Sequence, residues 1–319
     1  MSLAFAETSN RLASIANAVD QALLPLHARQ DSLVLDIGPC IRSGVWFDKG
    51  CRQNMEDEHV IIDKLQDFIP GSQTEGSFYG VFDGHEGRSA AEFVRDKLLN
   101  FVLQDVDFPL SVEKVLQNAY LQTDAAFAEA CLLGECVSSG TTALTVLVLG
   151  REVFVANAGD CRAILSRKGK AKELSRDHKP DAERARIEAQ GGFVDDGYLN
   201  GQLSVARALG NWHIKGLKGL DGPLIADPEV QHLSLTGDDE FMIIGFDGFW
   251  DVFQNQDAVS FARRRLQQHN DPRECSRELV DEALRRNTTD NVTVVTVCFQ
   301  VSPPPALIPR FMARRLSQM

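Results

Sequence analysis

The stretch FYGVFDGH, residues 78–85, joins an apolar strand pattern directly to polar groups that can carry chemistry. Residues 78–82 are apolar or glycine, which is typical of a buried strand, and Asp83, Gly84 and His85 follow without an intervening loop. Because a strand backbone is rigid, a carboxylate placed just after it is held at the rim of a sheet. The sequence therefore predicts a buried sheet with a functional site at one of its ends.

Further strands and helices are predicted on both sides of this stretch. Short runs rich in Val, Ile, Thr and Phe predict strands at 43–48, 58–64, 77–82, 140–149, 152–157, 161–166, 240–246 and 291–299. Helical spacing and end signals predict helices over 86–103 and 111–133, one from Pro180 to Gly191-Gly192, and two within 255–286 that break near Pro272. Strands follow one another as in hairpins and helices come in pairs, which favours an α+β fold with antiparallel sheets.

The 319 residues correspond to about two domains or to one large domain. The chain shows no repeat and no low-complexity linker, which favours one domain over residues 41–300. Residues 1–40 are interpreted as an N-terminal extension. Residues 301–319 are interpreted as a basic C-terminal tail, because the three prolines that begin at Pro303 cannot join a strand ladder. A solvated terminus is favoured for this tail, with a targeting element as the alternative.

Composition and charge exclude several classes of protein. With 44% hydrophobic and 24% charged residues, the chain is neither collagen-like nor disordered nor a disulfide scaffold. Its 33 basic and 45 acidic residues give a net charge of −12, so it lacks the cationic excess that binding to nucleic acid or to an anionic membrane requires. No apolar run reaches the roughly 18 residues of a membrane-spanning helix. The absence of a secretory signal pattern and the 7 scattered cysteines predict a cytoplasmic or nuclear protein.

Carboxylates occur at five predicted strand ends. They are Glu56-Asp57, Asp83, Asp160, Asp247 with the nearby Asp251, and Asp290. Each one alone is more simply read as a turn residue, since Asp and Gly are the commonest residues of turns. If they are gathered together, they repel one another unless cations neutralise them. Oxygen ligands without a Cys/His cluster suit a hard cation such as Mg²⁺ or Mn²⁺ and argue against zinc.

Eight short motifs include these carboxylates. They are RQNMED (52–57), DGH (83–85), SGTTA (139–143), ANAGDCR (156–162), DHKP (177–180), SVARALG (204–210), DGFWDV (247–252) and DNVTVV (290–295). In this order they resemble the motif series of the type 2C metal-dependent protein serine/threonine phosphatases, over about residues 42 to 300, with wording most similar to plant members. The resemblance implies a β-sandwich of two antiparallel sheets, flanked on both faces by antiparallel helix pairs, with a dinuclear metal centre at one end.

The resemblance also implies roles for ten residues. The metal ligands would be Glu56, Asp57, Asp83, Gly84, Asp247 and Asp290, with Asp160 and Asp251 at a weaker third metal position. Arg52 would clamp the phosphoryl oxygens, and His85 would be the general acid for the leaving alkoxide. Two Mg²⁺ or Mn²⁺ ions per subunit would activate a bridging water for direct attack on phosphorus. Asp251 has an alternative role as the cap of the following helix.

The function implied is that of an enzyme that hydrolyses phosphoserine and phosphothreonine in proteins. Its partners would be phosphorylated proteins, protein kinases among them, and it would act in signalling as a monomer. Two alternatives are a catalytically silent protein that keeps the fold and docks kinases, and a phosphohydrolase of small molecules. Because no metal aspartate is missing, the enzyme is favoured over the silent protein.

A second phosphatase signature, C-x₅-R from Cys161 to Arg167, is interpreted as a chance match. The phosphate loop of cysteine-based tyrosine phosphatases aims successive backbone N–H groups at one anion, which glycines usually permit. The residues between Cys161 and Arg167 instead follow a strand pattern between two turns.

Three residues depart from the family pattern. Glu86 and Phe246 stand where small residues are common, and Asn211 stands where an aspartate often follows RALG. A flap is predicted over about 193–220. It lacks the tryptophan near 194–198 of hormone-receptor-regulated plant members, which argues against coupling to that receptor system, and Trp212 is expected to pack in the core or the flap.

Overall fold

A computed structural model of the chain describes residues 39–68, 76–219 and 221–306. Apart from Pro39 and Cys40, the predicted N-terminal extension lies outside the described residues, as does the tail beyond residue 306. In the described part of the chain, no helix is long and apolar enough to cross a membrane.

Fifteen strands and six α-helices make up the described regular structure, together with two 3₁₀ helices at Leu65–Phe68 and Pro180–Glu183. In chain order the strands are β1 (Arg42–Asp48), β2 (Glu58–Ile62), β3 (Gly76–Phe82), β4 (Gly84–His85), β5 (Gly140–Thr141), β6 (Ala143–Leu149), β7 (Glu152–Ala158), β8 (Arg162–Arg167), β9 (Lys170–Glu173), β10 (Val194–Asp195), β11 (Tyr198–Leu199), β12 (Leu209–Gly210), β13 (Glu229–Ser234), β14 (Asp239–Gly245) and β15 (Val292–Cys298). The helices are α1 (Ser89–Gln104), α2 (Val112–Leu132), α3 (Arg184–Ala189), α4 (Asp247–Trp250), α5 (Asn255–His269) and α6 (Pro272–Arg285).

Ten strands form two five-stranded antiparallel sheets that pack face to face. The first sheet has the order β13-β7-β6-β3-β2 and the second the order β1-β15-β14-β8-β9. Val146 and Val155 of the first sheet meet Ile244 and Val295 of the second in one buried cluster. Helices α1 and α2 cover the outer face of the first sheet, and α5 and α6 cover that of the second. The predicted α+β sandwich, with a helix pair on each outer face, is thereby confirmed.

The central strands are buried along their whole length. Every residue of β3, β6, β14 and β15 is buried, because one face of each strand meets the other sheet and the opposite face meets helices. This double cover explains why these strands are the continuous apolar runs from which the sequence predicts them.

The remaining small elements lie beside the sandwich. The strands β12, β5 and β4 form a three-stranded antiparallel sheet, which joins residues near the end of the predicted flap to the segment that follows β3. Around the flap, Ile187, Leu199, Leu203, Leu217 and their neighbours form a buried apolar cluster of their own. The flap is therefore a packed structure with its own core.

Candidate metal centre

The candidate site lies at one end of the sandwich, where strands of both sheets end or begin. Asp83 follows the last residue of β3, Asp247 lies two residues beyond β14, and Asp290 lies two residues before β15. A cavity of about 420 Å³ lies at this end. Eight of the ten predicted site residues line it: Arg52, Glu56, Asp83, Gly84, His85, Asp160, Asp247 and Asp290.

Three carboxylates approach one another most closely in this cavity. Asp83, Asp160 and Asp247 each place an oxygen within 4.8 Å of the others. Asp160 lies in the turn between β7 and β8, where Gly159 has a φ of 130°. A Cβ at Gly159 would lie 2.4 Å from the Cβ of Thr142, so glycine is required for this turn to pack against the first sheet.

Hydrogen bonds with the last residue of β5 and the residue that follows it hold Asp83 in place. The carbonyl of Asp83 accepts from the backbone N–H of Thr142 at 2.9 Å and from Oγ1 of Thr141 at 3.0 Å. The backbone N–H of Asp83 donates to Oγ1 of Thr142 at 3.3 Å. The SGTTA motif therefore fixes the backbone of the central aspartate.

Burial and mutual repulsion raise the pKa of the carboxyls in this cluster. Burial, then repulsion from Asp57 and Asp247, raises the pKa of Asp83 well above its ordinary value. Burial, with repulsion from Asp160 as the next cause, raises the pKa of Asp247 to about 7. Burial also raises the pKa of Asp57 to about 8, although a hydrogen bond from Thr293 acts in the opposite direction. A cation among these groups would therefore be bound favourably.

Two of the predicted ligands do not reach the cavity wall. Asp57 is 5% exposed, and its Oδ2 accepts a hydrogen bond from Oγ1 of Thr293 at 3.0 Å. Asp251 follows α4, and its backbone N–H donates to the carbonyl of Asp247 at 2.8 Å. The residue that precedes α5 is Gln254, so Asp251 does not cap that helix.

Arg52 and Asp290 form an ion pair on the cavity wall. The Nη2 atom of Arg52 donates to Oδ2 of Asp290 at 2.7 Å, and the Arg52 side chain is 60% exposed. Glu56, on the same wall, is oriented by two contacts: its N–H donates to Oδ1 of Asn291 at 2.9 Å, and its Oε2 accepts from the N–H of Gly87 at 3.2 Å. Arg52, the predicted phosphoryl clamp, is thus bonded to Asp290, a predicted metal ligand.

The imidazole of His85 is held by residues that the sequence does not connect with it. Its Nε2 lies 2.9 Å from Oδ1 of Asn211, whose Nδ2 faces Oε2 of Glu86 at 3.5 Å. Since an amide oxygen only accepts, Nε2 is the donor in this contact. Burial lowers the pKa of His85, although the hydrogen bond with Asn211 acts to raise it. Glu86 also bonds to Nε2 of His213 at 3.0 Å, so this departure from the family pattern ties the site to the flap.

The donor set fits a hard divalent cation. It consists of carboxylates, with the Gly84 backbone beside them on the same wall, and oxygen donors are the ligands that Mg²⁺ and Mn²⁺ prefer. Among the described residues, Asp83, Asp160 and Asp247 form the one group of His, Cys, Asp and Glu side chains close enough to hold an ion together.

Several residues at the site were missed in the sequence analysis. Lys179 donates from Nζ to Oδ2 of Asp160 at 2.5 Å, and Tyr198 and Gln202 of the flap line the cavity. The DHKP motif marked Lys179 without indicating a role. No local signal marked the flap residues, because they reach the cavity only through the tertiary fold.

Cys161 is unsuited to act as a nucleophile. It is fully buried, burial raises the pKa of its thiol well above the ordinary value, and the residues that follow it form β8. A strand cannot supply the anion-binding loop that C-x₅-R requires, so the structure agrees with the interpretation as a chance match.

Comparison with known proteins places the whole arrangement in one family. The family model "Protein phosphatase 2C" matches residues 44–292. The chain is 57% identical over 276 residues to "Probable protein phosphatase 2C 57" of Oryza sativa subsp. japonica, an alignment covering 84% of this chain and 75% of the relative. It is 56% identical over 288 residues to "Probable protein phosphatase 2C 22" of Arabidopsis thaliana, covering 87% and 74% of the two chains.

A solved structure agrees at the level of the fold. The crystal structure of serine-threonine phosphatase 2C from Toxoplasma gondii superposes with a TM-score of 0.70 at 23% identity, covering 83% of this chain and 98% of that one. The strand-end carboxylates therefore lie in a sandwich of known type, and the matches to plant proteins confirm the resemblance seen in the motifs. This chain belongs to the protein phosphatase 2C family.

Proposed function

We propose that this enzyme hydrolyses phosphoserine and phosphothreonine in proteins with two Mg²⁺ or Mn²⁺ ions held in the cavity at the end of the sandwich. The observation that carries the proposal is the convergence of Asp83, Asp160 and Asp247 within 4.8 Å from three separate parts of the sequence. A cavity of about 420 Å³ is within the range typical of sites for small groups, and can admit a phosphorylated side chain.

Each residue on the cavity wall has a role that follows from its place. Asp83 and the backbone of Gly84, together with Asp247 and Asp290, would hold the two ions. Glu56 is oriented by its two backbone contacts to act through bound water. Asp57, which is 5% exposed and does not line the cavity, would act on the ions through its charge, since bound cations would favour its deprotonated form.

Two divalent ions, when bound, would supply a water of lowered pKa for attack on phosphorus and would neutralise phosphoryl charge. Arg52 would turn from Asp290 to the phosphoryl oxygens, for which its planar fork is suited. His85, held by Asn211, would deliver a proton to the departing serine or threonine oxygen. A weaker third metal position would use Asp160 and Asp251. We also propose that the enzyme is a monomer that acts on signalling proteins in the cytoplasm or nucleus.

Hydrolysis of a phosphoserine peptide and of an aryl phosphate, each with Mn²⁺ and with EDTA, tests the proposal. We expect turnover of both substrates with Mn²⁺, loss in EDTA, and a fall of about a hundredfold or more in Asp83→Asn. Asp96→Asn is the matched control, because Asp96 is an exposed helix residue paired with Arg95. Equal rates for wild type and Asp83→Asn would overturn the proposal. Turnover of the aryl phosphate without the peptide would favour a small-molecule phosphohydrolase, and inactivity towards both would favour the silent docking protein.

A further inference from the structure

A lysine ammonium lies directly against the carboxylate cluster. The Nζ atom of Lys179 donates to Oδ2 of Asp160 at 2.5 Å, and Asp160 is one of the three carboxylates within 4.8 Å of one another. The side chain of Asp160 is 2% exposed, so solvent contributes little to neutralising it. The positive charge that this buried carboxylate contacts belongs to the protein itself.

The backbone on either side of Lys179 aims the side chain at Asp160. The neighbouring His178 makes two hydrogen bonds with Gly159: its N–H donates to the Gly159 carbonyl at 2.9 Å, and its Nδ1 accepts from the Gly159 N–H at 3.1 Å. On the other side, Pro180 begins a 3₁₀ helix and fixes the direction of the chain. Lys179 is therefore clamped beside the turn that carries Asp160.

Asp177, two residues before Lys179, does not compete strongly for this lysine. Asp177 accepts two hydrogen bonds from Arg162, from Nε at 3.0 Å and from Nη2 at 2.7 Å. This bidentate pair satisfies Asp177 with a different cation. The hydrogen bond of Lys179 therefore goes to Asp160, while its charge also acts, without a hydrogen bond, on Asp247 and Asp251.

We propose that the Lys179 ammonium is a resident cation of the metal centre, which holds Asp160 and weakens divalent-ion binding on that side of the cluster. An ion that takes Oδ2 of Asp160 as a ligand must displace the ammonium, because that oxygen already accepts the Lys179 hydrogen bond and the two cations repel each other. The lysine side chain is 44% exposed, so it can swing into solvent when displaced. The ions held by Asp83, Asp247 and Asp290 load first, and Asp160 binds an ion only at higher concentration. This inference rests on the proposed function, since it concerns the same ions.

Direct measurement of Mn²⁺ binding to metal-stripped full-length protein, by calorimetry and by the EPR signal of free Mn²⁺, tests the inference. We expect Lys179→Met to tighten the weakest class of site by about tenfold or more, because it removes a unit charge beside a divalent ion. Lys179→Arg keeps the charge and should retain the weak binding. Asp160→Asn added to Lys179→Met should abolish the gain. The matched control is Lys168→Met, which removes the same charge from an exposed pair with Asp238.

Thermal melting provides a readout that does not depend on turnover. In EDTA, Lys179→Met should melt below wild type, because the buried Asp160 loses its counter-charge. Saturating Mn²⁺ should close most of that difference, since the ion then replaces the ammonium. Mn²⁺ binding by wild type that Lys179→Met leaves unchanged, or a melting difference that Mn²⁺ does not narrow, would overturn this inference alone. If wild type takes up no Mn²⁺, the proposed function fails as well.

Discussion

Gly140 shows how much one missing side chain can matter for the site. It pairs with His85 across the small sheet, and a Cβ at this position would lie 2.0 Å from Oδ1 of Asn211 and 2.2 Å from Nε2 of His85. The hydrogen bond between those two atoms exists because residue 140 is glycine. The SGTTA motif therefore serves both the predicted metal ligand Asp83 and the predicted general acid His85.

The first prediction is that Gly140→Ala separates His85 from Asn211 and lowers turnover of a phosphoserine peptide by about ten- to a hundredfold. An aryl phosphate should be affected less, because its phenolate leaving group needs little protonation. The clashing atoms are side-chain ends that can move, so the melting temperature should fall only slightly. Steady-state kinetics with both substrates and a melting curve check this.

Gly237→Ala is the control for that substitution, since a Cβ there meets nothing within 4 Å. If Gly140→Ala lowered turnover of both substrates equally, His85 would not be acting on the leaving group.

Among single residues, the carboxylates of the site could be predicted from the sequence, but the residues that bond to the site could not. Asp83 and Asp247 were predictable because each directly follows an apolar strand, and the strand dictates where the carboxylate lies. The contact of Asn211 with His85 was not predictable, because it joins positions that are 126 residues apart. The contact of Lys179 with Asp160 was not predictable either, since only the fold brings the two side chains together.

Helix α2 and the flap are joined through a single buried carboxylate. Oδ1 of Asp124 accepts from the backbone N–H of Gly210 at 2.6 Å and from Nε1 of Trp212 at 3.1 Å. Its Oδ2 accepts from Nζ of Lys218 at 2.9 Å. Trp212 is 41% exposed, so it is bonded to Asp124 at the flap surface and is not packed in a core. Through Asp124, α2 fixes β12, the strand that precedes Asn211.

The second prediction concerns this anchor. Removing one partner of a buried ion pair leaves the other charge uncompensated, so Asp124→Asn and Lys218→Met should each lower the free energy of unfolding by about 3–5 kcal/mol. The double variant should lose less than the sum of the two single losses, because the penalty of a lone buried charge is then absent. Urea unfolding of the four proteins measures the coupling.

Lys168→Met supplies a comparison, since its pair with Asp238 is exposed and should contribute little. Strict additivity of the Asp124 and Lys218 losses would show that the two charges act independently.

Among the strands, those that are buried could be predicted from the sequence more readily than those that are exposed. All eight predicted strands are present, within two residues at each end, because the central strands are apolar along their length; the run 140–149 is interrupted only at Thr142. Two longer strands were not predicted, β9 and β13, and each lies at one edge of its sheet, whereas β1 and β2 at the opposite edges were predicted. The two-residue strands β4, β10, β11 and β12 were not predicted either. Edge strands are often polar and exposed, so KAKE and EVQHLS carry no strand pattern.

The four longer helices were predicted, whereas the one-turn helix α4 and the 3₁₀ helix at Leu65–Phe68 were not. The segment from Pro180 starts as a 3₁₀ helix over Pro180–Glu183 and becomes α-helical only over Arg184–Ala189. Proline at the start was read correctly as a first-turn residue, but it does not specify which kind of helix follows.

For the whole molecule, the acidic centre couples metal binding to stability and to pH. Burial and repulsion raise the pKa of Asp57 to about 8 and that of Asp247 to about 7, from an ordinary 3.8. At pH values between the ordinary pKa and the raised ones, these two carboxyls are protonated in the folded protein and deprotonated in the unfolded chain. Without metal, stability should therefore fall as the pH rises from about 4 to 8.

The third prediction follows from that sign. Divalent ions bind the deprotonated carboxylates, so Mn²⁺ should raise the melting temperature more at pH 8 than at pH 5.5. Differential scanning fluorimetry in EDTA and in Mn²⁺ at the two pH values measures the difference. In Asp83→Asn the effect of Mn²⁺ should shrink at both values. An equal rise at pH 5.5 and pH 8 in the wild type would contradict the raised pKa of these groups.

The pairing of β1 with β15 has a practical consequence for what can be attached to the enzyme. Asp48 pairs with Val292 near the cavity, whereas Arg42 pairs with Cys298 at the other end, about 20 Å along the strands. The Arg42 guanidinium also bonds to the carbonyl of Gln300 at 3.0 Å, and Arg263 holds Pro305 together with Glu240 near the start of β14. The described chain therefore enters β1 and leaves β15 at the end of the sandwich opposite the cavity. A fluorescent tag, a surface tether or a fused targeting module joined directly at Pro39 or at Ala306 would therefore start at the end of the sandwich opposite the cavity.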